Sequence, residues 1–521
     1  MKIKTLSETA ANRSKTARRR IAVLACCLFI LLIFRVESDQ AFAFTGRSLD
    51  APGISSSNLS TPTLQATPAS DETLTYLVQS GDTLRAVAAR FRIRVDDILL
   101  SEPVSPDELL PPGLELTLPL PPWGLPEGQR LLPDSEVVFS PSATHFDVSA
   151  YVARAGGYFS TYQEYLRSTG WTSGADVVAR VALENSINPR LLLSLLELRC
   201  ACVLGTGKPG MEMDTIMGVT GPKHRGLYRQ LSWAADQLSL GYYGWRGGLF
   251  TEFYFSDEVT IRLSPELNAG SAALAYLFSR IGDSQAWWRA LDPQKGLPAR
   301  HQRMFGDPWQ RARAVEPLLP AGLEQPALIL PFLPGQVWSY TSGPHKAWET
   351  EGALAALDFA PASAESGCVP SDAWIAATTD GLVVRSQHGA VVQDLDGDGF
   401  EQTGWAILYM HVESRNRVPV GTHLRAGDPI GHPSCEGGPA SGTHLHIARK
   451  YNGEWIPAGG SLPFVMDGWV PQAGYKPFEG ALTRDGLTIV ANPYTPARAS
   501  IWRSAGDLPP TQQLHSLWWE E

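Results

Sequence analysis

Basic residues are in the minority in this chain: 43 Lys and Arg stand against 53 Asp and Glu, a formal net charge of −10 over 521 residues. That balance leaves no broad cationic face and excludes nucleic acid as a partner. Apolar runs long enough to span a bilayer are lacking too. The stretch from Ile21 to Phe34, behind Arg18-Arg19-Arg20, falls short of the roughly 20 residues required. It reads as the h-region of an export signal, with Ala41-Phe42-Ala43 as a cleavage site of A-x-A type before Phe44. Contact with a membrane is expected only through this segment, and only if it stays uncleaved. Cysteine is scarce. Of six, Cys26 and Cys27 lie in the export segment, which leaves Cys200, Cys202, Cys368 and Cys435, an even set that permits disulfides outside the cytosol. A Cys368–Cys435 bridge is expected. Cys200 and Cys202 are expected to be packing residues, because a bridge between cysteines one residue apart would be strained.

A chain of this length holds several domains, and the composition divides it as multidomain α+β. Residues 1–43 form a signal peptide or anchor, and 44–72, rich in Ser, Thr and Pro, a disordered linker. Residues 73–121 open with a short strand and a Gly81-Asp82 turn. Thr83 can cap a helix Leu84–Phe91 whose Leu84, Val87, Ala88 and Phe91 share one face; a second helix is expected around Val95–Leu100 and a closing strand over Leu114–Leu118. This β-α-α-β order, with V-x-x-G-D-T-L at its front, resembles a LysM module. The resemblance implies binding of N-acetylglucosamine-containing glycans, chiefly peptidoglycan and chitin.

Residues 140–318 are mostly helical, with patterns over Ala175–Ser186, Pro189–Leu198, Leu231–Leu240 and Asn268–Ile281. Pro189 suits a first helical turn. The stretch INPRLLLSLLELRC resembles the helix of lysozyme-like lytic transglycosylases that carries the catalytic acid, which would give Glu197 that role. The family's Glu-Ser pair is absent, since Leu198 follows Glu197. A helical spacer or glycan-binding domain is therefore expected, with a lysozyme-like second enzyme as the alternative.

From 335 to 460 short β-branched or apolar runs alternate with Gly turns, a β-rich pattern, and 461–521 form an extension without a motif. Of 11 histidines, His345, His388, His411, His423, His432, His444 and His446 fall in this region. In Gly442-Thr443-His444-Leu445-His446-Ile447 the alternation indicates a strand. Its period of two puts His444 and His446 on one face and Leu445 and Ile447 in the core. Together with Gly343-Pro344-His345, Leu357-Asp358-Phe359 and Leu408-Tyr409-Met410-His411, this order of motifs is similar to the lysostaphin-type, LytM-like zinc endopeptidases. The resemblance implies His345, Asp358 and His446 as ligands of one catalytic Zn2+, with His411 and His444 as the catalytic pair beside it. Two nitrogens and a carboxylate oxygen fill three tetrahedral corners, leaving the fourth for water, whose pKa zinc lowers to about 7. In one respect the chain departs from the family. Its first His and its Asp are usually four positions apart, whereas here 358 − 345 = 13, so KAWETEGALAAL must loop out; His388 and His432 are the fallback ligands.

Asp394, Asp396 and Asp398 match the first half of a calcium loop, but Trp405 stands where the bidentate Glu belongs, so an acidic turn is expected rather than a Ca2+ site. The whole reads as an exported bacterial zinc endopeptidase acting on peptidoglycan stems or cross-links, secreted or held in the envelope, with LysM raising the local concentration of the polymer. The alternatives are a non-enzymatic LytM-like regulator of a cell-wall amidase and a bifunctional hydrolase using Glu197.

Overall fold

The computed structural model describes residues 72–504 except 101, 121–123, 349–351, 364 and 495. The export segment and nearly all of the linker lie outside the described residues. Among those described, no helix is long and apolar enough to cross a membrane.

The LysM-like unit pairs β1 (Thr73–Leu77) antiparallel with β2 (Glu115–Pro119), and α1 (Leu84–Phe91) packs on them through Val87 and Phe91. Thr83 caps α1 as its hydroxyl accepts from the Ala86 N–H. The second helix expected over Val95–Leu100 is only a three-residue 3-10 turn, Val95–Asp97. Leu99 instead exchanges backbone hydrogen bonds with Thr117, and this cross-strand pairing overrides the local helical pattern. The unit is docked as well as tethered. Gly81, at φ 77°, rests on the Arg246 side chain, Gly248 lies on Ala86 and Ala89, and Arg92 pairs with Glu252 at 2.6 Å.

The middle region is built from α2 (Val148–Ala155), hairpin β3 (Gln163–Leu166) and β4 (Gly170–Ser173), α3 (Gly174–Asn185), α4 (Pro189–Cys200), α5 (Leu227–Arg246), hairpin β5 (Glu252–Tyr254) and β6 (Thr260–Arg262), α6 (Ala269–Ser279), α7 (Ser284–Leu291), α8 (Leu297–Phe305) and α9 (Pro308–Ala312). Ser173 and Asn188 cap α3 and α4, and Pro189 occupies the first turn of α4. Gly241 of α5 lies against Ala273 of α6, a close approach that a side chain would block. Cys200 and Cys202 are not mere packing residues: they form a disulfide, with Cα atoms 5.0 Å apart. Ala201 between them is left-handed (φ 49°), which ends α4 and folds the chain back so that the two thiols meet.

The last region centres on a nine-stranded antiparallel sheet. Its strands are β7 (Val337–His345), β8 (Ala356–Pro361), β10 (Gly381–Gln387), β11 (Ala390–Asp394), β12 (Trp405–Met410), β13 (His423–Leu424), β15 (Leu445–Tyr451), β16 (Glu454–Trp455) and β20 (Ser500–Trp502). The order is β13-β10-β11-β12-β15-β8-β7-β20, with β16 on β15; β9 (Ile375–Ala376) and β14 (Pro429–Gly431) form a separate pair. Leu445 and Ile447 join Leu357, Phe359, Ile407 and Tyr409 in one core. The opposite face, with Ala356, Ala406, Leu408 and Ala448, is covered by Ala347, Trp348 and Ala353 and by Tyr243 of α5. A buried ion triad spans this region: Glu401 accepts two hydrogen bonds from Arg385 (2.8 and 2.9 Å) and one from Lys450 of β15 (2.7 Å). The extension beyond 460 is built into the region. It forms a three-stranded sheet of β17 (Val470–Ala473), β18 (Gly480–Arg484) and β19 (Leu487–Val490), and β20 pairs with β7.

Candidate metal centre

Each of the five residues singled out in the sequence owes its position to a strand or its end. Asp358 on β8 and His446 on β15 are direct cross-strand partners. β7 shifts register twice, between Tyr340 and Ser342 and again before His345, and such irregularities re-aim a side chain. Past His345 the chain loops out and returns as β8, with His345 opposite Ala356, so the 13-residue separation still brings Asp358 beside it. His411 follows β12 at φ 65°, a left-handed conformation uncommon for a side-chain-bearing residue and frequent at functional sites.

Three atoms converge. His345 Nε2 lies 3.0 Å from His446 Nδ1, and each is 3.2 Å from Asp358 Oδ1. The outward nitrogens face backbone carbonyls: His345 Nδ1 is 2.9 Å from Gly343 O, and His446 Nε2 is 3.0 Å from Ala347 O. A carbonyl can only accept, so in the neutral form of each ring those nitrogens carry the protons and the two inward nitrogens offer lone pairs. Burial pushes the His345 pKa down, but the Asp358 carboxylate beside it outweighs burial and raises it. Asp358 Oδ1 is buried and receives no hydrogen bond. With both rings neutral, two lone pairs and a carboxylate oxygen face one another, an arrangement that a cation relieves. The edges fit as well: bonds of about 2.0–2.1 Å to a tetrahedral zinc separate its ligands by roughly 3.3 Å. Turning the remote N–H of each ligating imidazole onto a carbonyl is how such ligands are usually oriented.

His444 and His411 flank this cluster. His444 Nε2 is 3.8 Å from Asp358 Oδ1, and its ring centroid is 4.4 Å from that of His411. Both are oriented as the ligands are, through His444 Nδ1 on Gly442 O and His411 Nδ1 on Glu436 O, each at 2.8 Å. Burial, reinforced by His444 and His446, pushes the His411 pKa down to about 3, so the ring is neutral at physiological pH. Burial pushes Asp358 up, but His345 and then His444 outweigh it and hold the carboxyl well below its usual range. Cys368 and Cys435 are bridged with Cα atoms 5.8 Å apart, beside Glu436, which ties the loop orienting His411 to the loop over residues 362–373.

His388 and His432 do not join the cluster; the His432 ring lies tilted against Trp374, centroids 4.1 Å apart, with Nδ1 against Ala373 O. Asp394, Asp396 and Asp398 lie close together, but their carboxylates already accept the N–H groups of Asp396, Gly399, Asp398 and Phe400. The group is an acidic turn, and calcium gains no support from it. A Ser194–His301–Glu136 series in the middle region has the atoms of a hydrolytic triad, yet all three residues are 0% exposed and the Ser194 hydroxyl is shared with Arg190 O. No motif marks Phe478, whose ring stacks on His345 at 4.6 Å.

Residues 76–119 match the LysM domain family and residues 130–319 match the family described as LasA, N-terminal domain. The chain thus carries a LysM module and a LasA-type N-terminal domain, with the His-Asp-His cluster on an antiparallel sheet beyond them. It is similar to Protease LasA of Pseudomonas aeruginosa, 26% identical over 347 residues that cover 64% of this chain and 76% of that protein. The Protease LasA of a second strain is 25% identical over 343 residues, with the same coverage. Among solved structures, the M23 metalloprotease pseudoalterin is 21% identical with a TM-score of 0.29, covering 34% of this chain and 99% of that one. The lysostaphin catalytic domain from Staphylococcus simulans is 23% identical with a TM-score of 0.17, covering 23% and 87%.

Proposed function

We propose that the chain is an exported, zinc-dependent endopeptidase that cuts the peptide stems or cross-links of bacterial peptidoglycan, with its LysM module holding the glycan. One observation carries this reading: the inward atoms of His345, Asp358 and His446 lie within 3.2 Å of one another. The relationship to a protease and the presence of a LysM module support it from outside the site.

When bound by these three residues, zinc supplies Lewis acidity toward a peptide carbonyl and toward water. The protein's own residues handle the protons. With Nδ1–H fixed on Glu436 O, His411 presents an unprotonated Nε2 to the space beside the cluster, positioned to accept a proton from an attacking water. His444, fixed in the same way on Gly442 O, presents the second such nitrogen. Once protonated, either ring can donate to the developing oxyanion or to the leaving amine. Such general-base and general-acid contributions are typically on the order of 10²- to 10⁴-fold.

In the middle region, Glu197 Oε2 accepts the N–H groups of Val203 (3.0 Å) and Leu204 (3.1 Å), anchoring the turn after α4. We read this region as a structural domain and Glu197 as a loop anchor, not as the acid of a second, lysozyme-like enzyme. The test is digestion of purified cell walls. Expected are new amino groups without new reducing or anhydro sugar ends, loss of activity on chelation, and recovery with added zinc. Release of sugar ends that disappears in Glu197→Gln would replace the reading with a glycan-cleaving one. Protein purified with no zinc and no activity would favour a regulator.

A further inference from the structure

The C-terminal extension reaches the centre at two places. The first is Phe478, between β17 and β18. Its ring lies flat on the His345 imidazole, with centroids 4.6 Å apart and planes at 24°. Its backbone clasps the strand just before that ligand: the Gly343 N–H donates to Phe478 O (2.8 Å), and the Phe478 N–H donates to Pro344 O (3.2 Å). Gly343 is in turn the residue whose carbonyl holds His345 Nδ1. Phe478 has no place in a core, since it is 53% exposed, and its φ of 73° is a conformation that side-chain-bearing residues adopt at a cost of about 1–2 kcal/mol. With about half of the phenyl left exposed, burial offsets this only in part. What it contributes instead is a flat lid on one face of a ligand ring, leaving the Nε2 edge open to Asp358 and His446.

The second is the segment after β19. A cleft of about 900 Å³ opens beside Asp358 and His444, between residues 365–373 on one side and Pro493, Tyr494, Ala497 and Ser500 on the other. That volume is at the upper end of ordinary ligand sites and suits several residues of an extended peptide. Tyr494 stands on the extension's side of the cleft and is 94% exposed, and its backbone N–H donates to Asn492 Oδ1. Aromatic side chains supply large, amphipathic contact area with few rotatable bonds.

Building on the metallopeptidase reading, we propose that the extension is a working part of the active site: Phe478 is a positioning residue that holds the His345 ring for the metal, and Tyr494 forms the far wall that holds the substrate peptide. The two roles separate experimentally in the full-length protein. Zinc affinity of the apo-protein, measured by competition with a chromophoric chelator, reads the first without any turnover. Kinetics on soluble cross-linked peptidoglycan fragments read the second.

Phe478→Gly is the informative variant. It removes the ring and also relieves the left-handed strain, so the melting temperature should hold or rise while zinc affinity falls about 10- to 100-fold, the usual effect of losing a residue that orients a metal ligand. Phe478→Tyr should restore the affinity. Tyr494→Ala should raise KM at least fivefold with kcat and zinc affinity unchanged, and Tyr494→Phe should stay near wild type. Wild-type zinc affinity in Phe478→Gly overturns the positioning role, and an unchanged KM in Tyr494→Ala overturns the wall. A wild-type protein that binds no zinc sinks the metallopeptidase reading itself, whereas zinc binding by wild type and variants alike sinks only this inference.

Discussion

Replacing Glu401 by Gln should destabilise the peptidase region by about 3 kcal/mol at neutral pH. The carboxylate is buried between Arg385 and Lys450 and takes three hydrogen bonds from them. Burial pushes its pKa upward, but Arg385 and then Lys450 outweigh that and hold it at about 2. Against an unfolded value of about 4.3, the shift is roughly two units, or about 3 kcal/mol at 1.4 kcal/mol per unit. A separate route agrees: breaking one side of a buried ion pair typically costs about 3–5 kcal/mol, because the cations left behind stay buried. Since the folded pKa is depressed, the stabilisation is fully present above pH 4.3 and is lost as pH falls through 2. The gap between wild type and Glu401→Gln should therefore close over that window. Urea unfolding followed by tryptophan emission can read it, with Trp455 5.3 Å from the Lys450 ammonium and Trp348 5.8 Å from the Arg385 guanidinium. A gap below about 1 kcal/mol at pH 7, or one that persists unchanged to pH 2, would refute the assignment of this triad as a net stabiliser.

Metal analysis should find His446→Ala stripped of zinc, while His411→Ala keeps its metal and loses turnover by about 10²- to 10⁴-fold. Zinc retained in the first variant would remove His446 from the ligand set. The Cys368–Cys435 bridge closes a sequence separation of 67, so a double Cys→Ser variant should lose roughly 4 kcal/mol by the chain-entropy estimate, read in the same unfolding assay. Gly81→Val adds a side chain where Arg246 already sits and should free the LysM unit from α5, seen as a larger radius in solution scattering and faster proteolysis of the connection at 121–131. Added calcium should leave the melting temperature unchanged, because the Asp394 turn already hydrogen-bonds its carboxylates internally.

Periodicity made the centre readable before any coordinates. His444 and His446 at a spacing of two, with Leu445 and Ile447 between and after them, indicated a strand; β15 carries Leu445, His446 and Ile447, and His444 stands just before its first residue. Thr83 and Pro189 marked helix starts correctly for the same local reason: capping and first-turn geometry involve neighbours a few residues away. What the sequence hid depends on distant partners or on backbone angles. Val95–Leu100 looked helical, and only Thr117, far along the chain, shows why Leu99 is extended. The Cys200–Cys202 bridge required a left-handed Ala201, which no side-chain pattern announces. Phe478 and Tyr494 sit in an extension with no motif, and their closeness to the centre arises from β20 pairing with β7 and from the Gly343–Phe478 contact. The acidic turn was legible because each of its hydrogen bonds is local.

The seating of the LysM-like unit on α5, through Gly81 against Arg246 and the Arg92–Glu252 pair, bears on reach. The same α5 carries Tyr242 and Arg246, which both hydrogen-bond Glu454 on the strand beside β15. Among the described residues, one helix thus touches both the LysM-like unit and the metal-centre sheet. Under the proposed function, such a build works like a caliper, cutting the polymer at a set offset from the point where it grips.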